Sequence, residues 1–247
     1  MRQPLRIAAA ATAAAAALLG APAPASAAAF DVLVFTKTAG FRHDSIPAAV
    51  EAVRQLGAVN DFTVTATEDA AAFTTANLAQ YEAVVFLSTT GDVLDAAQEA
   101  ALEGYVRSGG GFAGVHAAAD TEYDWPFYGT LVGAYFASHP AIQPVTVRVE
   151  DHAHPATAHL GDAWQRTDEL YNYRTNPRAT SHVLATLDES TYSGGTMGAD
   201  HPIAWCKTVD AGRSFYTGFG HTPESYADAN LRALLLGGIR YAARTAS

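Results

Sequence analysis

Cysteine is almost absent from this chain. The one thiol, Cys206, has no partner for an internal disulfide, and there is no CxxC pair for a redox or zinc motif. Basic residues are also scarce: 15 Lys and Arg stand against 25 Asp and Glu, a formal charge of -10. A surface of that sign repels a phosphate backbone and argues against nucleic acid as a partner. No internal repeat, Pro-rich linker or block of like charge divides the chain, and it has no HExxH signature. Past the N-terminus no apolar run approaches the roughly 20 residues needed to span a bilayer. What is present is a 49% apolar composition, which excludes disorder, and 9 histidines, the residues best suited to move protons or bind metals near neutral pH.

The first stretch has the form of a secretory leader. Arg2 and Arg6 precede an Ala- and Leu-rich run from Ile7 to Leu19, followed by Pro22 and the small-residue pattern Ala25-Ser26-Ala27. A signal peptide over residues 1–27 is expected, with a secreted product over 28–247 that has no membrane attachment.

From Phe30 the pattern is regular. Apolar, β-prone runs at 30–35, 62–67, 83–87 and 112–115 alternate with helical stretches at 48–56, around Leu78 and at 95–106. Continuous apolar runs such as Ala83 to Leu87 suit strands buried on both faces. The order predicts a single α/β domain with a parallel-centred sheet and helices on both faces. From Asp120 to Met197 the pattern becomes irregular, with strands expected only at 145–149 and 182–187, and reads as an elaborated loop layer. Regularity returns at 203–206, at 213–217 and in a closing helix over 228–244. In open sheets of this type ligands bind beyond the carboxyl ends of the strands.

The residues past those ends are the candidates. After the first strand, Lys37, Phe41, Arg42 and His43 lie in a loop suited to binding a substrate, with Asp44 or Ser45 as a helix cap. After the fourth, Gly114-Val115-His116-Ala117-Ala118 is a strand, a sharp turn of small residues and a helix start, the setting of a nucleophile elbow with histidine at the exposed position. His116 can move a proton or bind a metal, and Asp120 is expected on the same helix face. His221 follows the last strand, and His139 precedes Pro140 at another. His43, His116 and His221 would together form a divalent metal site of the zinc type with one open position. Asp168-Glu169-Leu170-Tyr171-Asn172-Tyr173 joins carboxylates to aromatics, a pairing suited to sugars, with Trp125 as a further stacking platform. His201, before Pro202, lies at a similar strand or loop end, whereas His152, His154, His159 and His182 fall in contexts that suit surface or structural roles.

Several ordered stretches resemble the ThuA-like family, named for trehalose utilisation. They are Phe35-Thr36-Lys37-Thr38-Ala39-Gly40-Phe41-Arg42-His43, Gly110 to Ala118 and Gly133-Ala134-Tyr135-Phe136-Ala137-Ser138-His139-Pro140. The matches continue through Asp168-Glu169-Leu170-Tyr171, His201-Pro202-Ile203-Ala204-Trp205 and Tyr216-Thr217-Gly218-Phe219-Gly220-His221. The resemblance covers nearly all of residues 28–247. It implies a flavodoxin-like, class I glutamine amidotransferase-like fold and a tie to sugar catabolism. Amidotransferase activity does not follow, because the elbow cysteine of those enzymes is replaced by His116 and Cys206 follows a different strand.

These readings favour a carbohydrate-active enzyme with His116, Asp120, His139, Glu169 and His221 as catalytic residues, working by acid–base hydrolysis or elimination. Its partner would be a small sugar or an oligosaccharide. Lys37, Phe41, Arg42, His43, Trp125, Tyr171 and Tyr173 would bind it. The alternative is a non-catalytic carbohydrate-binding protein, which would need the aromatics but not His116 or His221.

Overall fold

The computed structural model describes Met1 and residues 30–246, so the expected leader and its cleavage point lie outside the described residues. The apolar runs of the first half become parallel strands: β1 (Phe30–Phe35), β2 (Phe62–Thr67), β3 (Ala83–Leu87) and β4 (Gly111–Val115). Every residue of β3 and β4 is buried, as expected for strands covered on both sides. The connections carry α1 (Ile46–Val59), α2 (Thr75–Leu78) and α3 (Ala96–Arg107). Asp95 starts α3 with a capping box, its carboxylate accepting from Ala97 and Gln98 N–H while Gln98 bonds back to Asp95 N–H.

The second half contains α4 (Pro126–Val132), β5 (Phe136–Ser138), β6 (Gln143–Val149), β7 (Ala163–Asp168), β8 (Asn172–Tyr173), β9 (His182–Leu187), β10 (Pro202–Val209), β11 (Gly212–Thr217) and α5 (Ala229–Ala242). Among the described residues one sheet runs β2-β1-β3-β4-β11-β10-β9-β6-β7, and β5 pairs with β8 in a small second sheet. The first five strands are mutually parallel in a flavodoxin-like order, and the last four extend them by antiparallel pairing. The irregular layer expected over 120–197 thus carries five strands, where strands were expected only at 145–149 and 182–187, the positions of β6 and β9. β7 escapes a reading by pattern because it carries Arg166 and Asp168 on its inward face, which breaks the apolar alternation.

Side chains alternate across the sheet. Phe112 and Ser214 face α4, where the Ser214 hydroxyl donates to the Leu131 carbonyl at 2.6 Å and Phe112 packs edge-on against Tyr128. Their neighbours Ala113 and Phe215 face α5, which crosses so closely that a Cβ on Gly238 would lie 2.3 Å from the Phe215 ring. Arg240 of α5 donates to Asn60 at the end of α1, and Arg107 of α3 covers the Phe127 ring of α4. Helices thus lie on both faces. Among the described residues no helix is long and apolar enough to cross a membrane.

Candidate functional site

Strand direction decides which loops can meet. β4 and β11 are parallel neighbours, so His116 and His221 leave the same edge of the sheet. Between β11 and β7 lie four antiparallel pairings, an even number, so the carboxyl end of β7 returns to that edge and delivers Glu169 there. His43, from the loop after β1, completes the group. One potential ligand atom from each of His43, His116, Glu169 and His221 lies within 4.8 Å of the others. His43, His116 and Glu169 are buried, and His221 is half-buried.

His116 is the first residue of a five-residue 3-10 turn and has a left-handed backbone, φ 51°. That conformation is costly for a residue with a Cβ and needs support from its surroundings. Support comes from β11: the Tyr216 hydroxyl donates to the His116 carbonyl at 2.8 Å, and the His116 ring donates through Nδ1 to the Gly218 carbonyl at 2.9 Å. The other ring nitrogen, Nε2, then faces the cluster, 3.2 Å from His221 Nδ1 and 3.5 Å from Glu169 Oε2. His221 Nδ1 is itself 3.0 Å from that same carboxylate oxygen. The second oxygen, Glu169 Oε1, is 3.0 Å from Nδ1 of His139, an exposed ring. The His43 ring stands edge-on to both His116 and His221, with centroids 4.8 and 5.0 Å apart, and its buried Nδ1 has no hydrogen-bond partner.

Burial, reinforced by His116 and His221, pushes the His43 pKa down to about 3, so its ring is neutral. Burial would raise Glu169, yet the adjoining His116 and His221 outweigh it and hold the carboxyl well below the usual range. Glu169 in turn raises His221 against the effect of burial. The centre therefore holds one carboxylate surrounded by imidazoles.

Asp168 fixes these loops in place. Its buried carboxylate accepts the N–H groups of Glu169 at 3.0 Å, Gly220 at 3.0 Å and His221 at 3.1 Å. Arg166 balances the charge from Nη2 at 2.7 Å, its guanidinium lying over the Trp164 and Phe219 rings. Ser45, expected as a helix cap, caps nothing and instead donates to the Gly220 carbonyl at 3.1 Å, tying the His43 loop to the His221 loop. Neither Arg166 nor Ser45 was evident as a supporting residue in the sequence. The signal for Arg166 is its parity with Trp164 and Asp168 on one strand.

The other candidates are dispersed. Tyr171 lies under His116 with centroids 4.3 Å apart, and Phe41 is exposed against His43. Asp120 does not share a face with His116, because the segment is a 3-10 turn of about three residues per turn, and its carboxylate accepts the Tyr123 hydroxyl at 2.6 Å. Lys37 donates to the Val93 carbonyl, and Arg42 pairs with Glu68. Tyr173 is buried, with its hydroxyl 3.4 Å from that of Tyr216, and presents no face for stacking. Trp125 is also buried, and lines a groove of about 680 Å³ with Arg107 and Lys207 that contains none of the cluster's histidines.

The family model described as ThuA, trehalose utilisation, matches residues 31–242. The chain belongs to the ThuA family. A ThuA-like protein from Bacteroides uniformis is 25% identical, with a TM-score of 0.76, over 90% of this chain and 95% of that one. A ThuA-like protein from Parabacteroides merdae is 20% identical, with a TM-score of 0.74, over 87% of this chain and 90% of the other. A β-galactosidase from Bacillus circulans sp. alkalophilus shares the fold at 12% identity and a TM-score of 0.56, over 87% of this chain but only 31% of its own length. None of the curated proteins compared matches the chain.

Proposed function

We propose that this ThuA-family chain is a secreted carbohydrate-active enzyme that cleaves a glycoside or keto-glycoside by proton transfer at the histidine–glutamate cluster. The observation that carries the reading is the contact between His139 Nδ1 and Glu169 Oε1, which joins an exposed imidazole to a buried carboxylate. The same Nδ1 is hydrogen-bonded to the Pro140 carbonyl at 2.9 Å, so carbonyl and carboxylate together fix the ring and leave an exposed imidazole to exchange a proton with substrate. In a keto-glycoside the carbonyl acidifies the neighbouring C–H. A base there takes the proton, the C–O bond to the leaving group breaks, and the departing oxygen is reprotonated. In a plain glycoside the same imidazole would activate water or protonate the leaving oxygen. His116 and His221 keep Glu169 ionised, and Tyr171 forms the apolar floor beneath them. The family's link to trehalose utilisation supports a sugar substrate. Burial of Trp125 and Tyr173 speaks against a module that binds by stacking alone.

The test is a turnover screen of the purified protein against glycosides and keto-glycosides, trehalose among them. His139→Ala should lower the rate about 10²- to 10⁴-fold, while His152→Ala should not. Saturable sugar binding with no turnover by the wild type would replace this reading with a binding protein. Secretion is tested separately: exported material should begin near Ala28, and a product retaining Met1 would refute it.

A further inference from the structure

We infer that His43, His116, Glu169 and His221 form a binding site for one divalent metal ion of the zinc class. The inference rests on the sugar-processing reading only for the importance of this location, since metal content is measured without substrate.

The first argument is about spacing. With metal–donor bonds of about 2.0–2.1 Å, neighbouring donors on a tetrahedron stand about 3.3 Å apart. The three measured separations within His116 Nε2, His221 Nδ1 and Glu169 Oε2 are 3.2, 3.5 and 3.0 Å. They outline one face of such a tetrahedron, and His43 stands beside it as the further donor.

The second argument is about protons. His116 spends its Nδ1 proton on the Gly218 carbonyl, so its Nε2 meets the acceptor-only Glu169 carboxylate in one of two ways, carrying a second proton or sharing a bound cation through its lone pair. Two acceptors facing each other in a buried site repel unless a cation lies between them. The unpartnered buried Nδ1 of His43, in a ring against both other imidazoles, is a further sign of missing electrophilic company. The outer contacts also fit: metal-bound imidazoles commonly donate their remote N–H to a carbonyl, as His116 does to Gly218. Three nitrogens and one oxygen suit zinc and its neighbours better than calcium or magnesium, which prefer all-oxygen sites. A bound ion would polarise a sugar oxygen as a Lewis acid and leave His139 as the free proton carrier.

The experiment uses the full exported chain, stripped with a chelator and titrated with Zn²⁺ in competition with a chromophoric chelator, with Co²⁺ absorption as a second readout. One equivalent per chain is expected, with a Co²⁺ spectrum of low-symmetry, four- or five-coordinate type. His116→Ala, His221→Ala and Glu169→Ala should each weaken Zn²⁺ binding by at least about 100-fold, with circular dichroism confirming that the variants fold, while His159→Ala should bind as the wild type does. Failure of folded wild-type protein to retain either ion at micromolar concentration would overturn the inference. So would an unchanged affinity in the folded His116→Ala/His221→Ala variant. Turnover without metal would remove the ion and keep the sugar reading; stoichiometric metal without turnover would do the reverse.

Discussion

His116 and Gly218, 102 residues apart, are joined by a hydrogen bond of 2.9 Å that determines which imidazole nitrogen faces the cluster. The bond is possible because β4 ends where β11 ends, Val115 opposite Thr217, so the next residues of both strands meet at one edge.

The left-handed backbone at His116 leads to a first prediction. Glycine adopts φ near 51° without the steric cost of a Cβ, whereas alanine retains it. His116→Gly should therefore be more stable than His116→Ala by about 1 kcal/mol, although both lose the imidazole. Urea unfolding of the two variants measures this, and an alanine variant of equal or greater stability would show that the turn is not strained.

Asp168 leads to a second. Its removal leaves buried Arg166 with only the longer contact to Asp228 at 3.4 Å, and leaves three N–H groups without their acceptor. Asp168→Ala should cost about 3–5 kcal/mol in chemical unfolding. Arg166→Met/Asp168→Leu should recover much of that stability but not activity, since Gly220 and His221 would still lack their anchor. A double variant as unstable as the single one would show that the stranded charge is not the cause.

The third concerns pH. Glu122 is buried, and its Oε1 accepts N–H groups from Val93 and Leu94 at 2.8 Å each. Burial pushes its pKa from 4.5 up to about 7 despite those bonds, with Asp92 and Glu99 adding to the rise. Between those two values the folded chain retains a proton that the unfolded chain releases. The resulting stabilisation is complete below pH 4.5 and is lost as pH rises through 7. Glu122→Gln keeps the accepting oxygen without the charge. It should match the wild type near pH 4 and exceed it at pH 8 by up to about 3 kcal/mol, measured by thermal unfolding across pH. A difference that does not vary with pH would refute the shift.

The parallel half of the fold was legible because β3 is a continuous apolar run, β2 alternates, and the stretch that becomes α3 has helical apolar spacing. Of the antiparallel strands, β6, β9 and β10 were legible too, but β7 was not, because it hides an ion pair in its buried face, nor were β5 and β8, which are too short to establish a period. At the cluster, His43, His116, His221, Glu169 and His139 were identifiable as polar residues just past strand ends. Asp120, Trp125 and Tyr173 were drawn in by chemical type alone, without a strand direction to place them. Asp168 stood beside Glu169 in the sequence, but its part in holding Gly220 and His221 depends on a contact across 53 residues that no local pattern encodes.

β11 occupies the middle of the sheet, between β4 and β10, although it is the last strand in the chain. Until Gly212–Thr217 has been made, β4 and β10 each have an open edge, and His116 lacks both of its tethers on that strand and the segment beyond it. During synthesis the cluster is thus among the last parts to assemble. Early-folded pieces with exposed edges are prone to wrong pairing, and only near completion of the chain does insertion of one strand close the sheet and bring its reactive groups together.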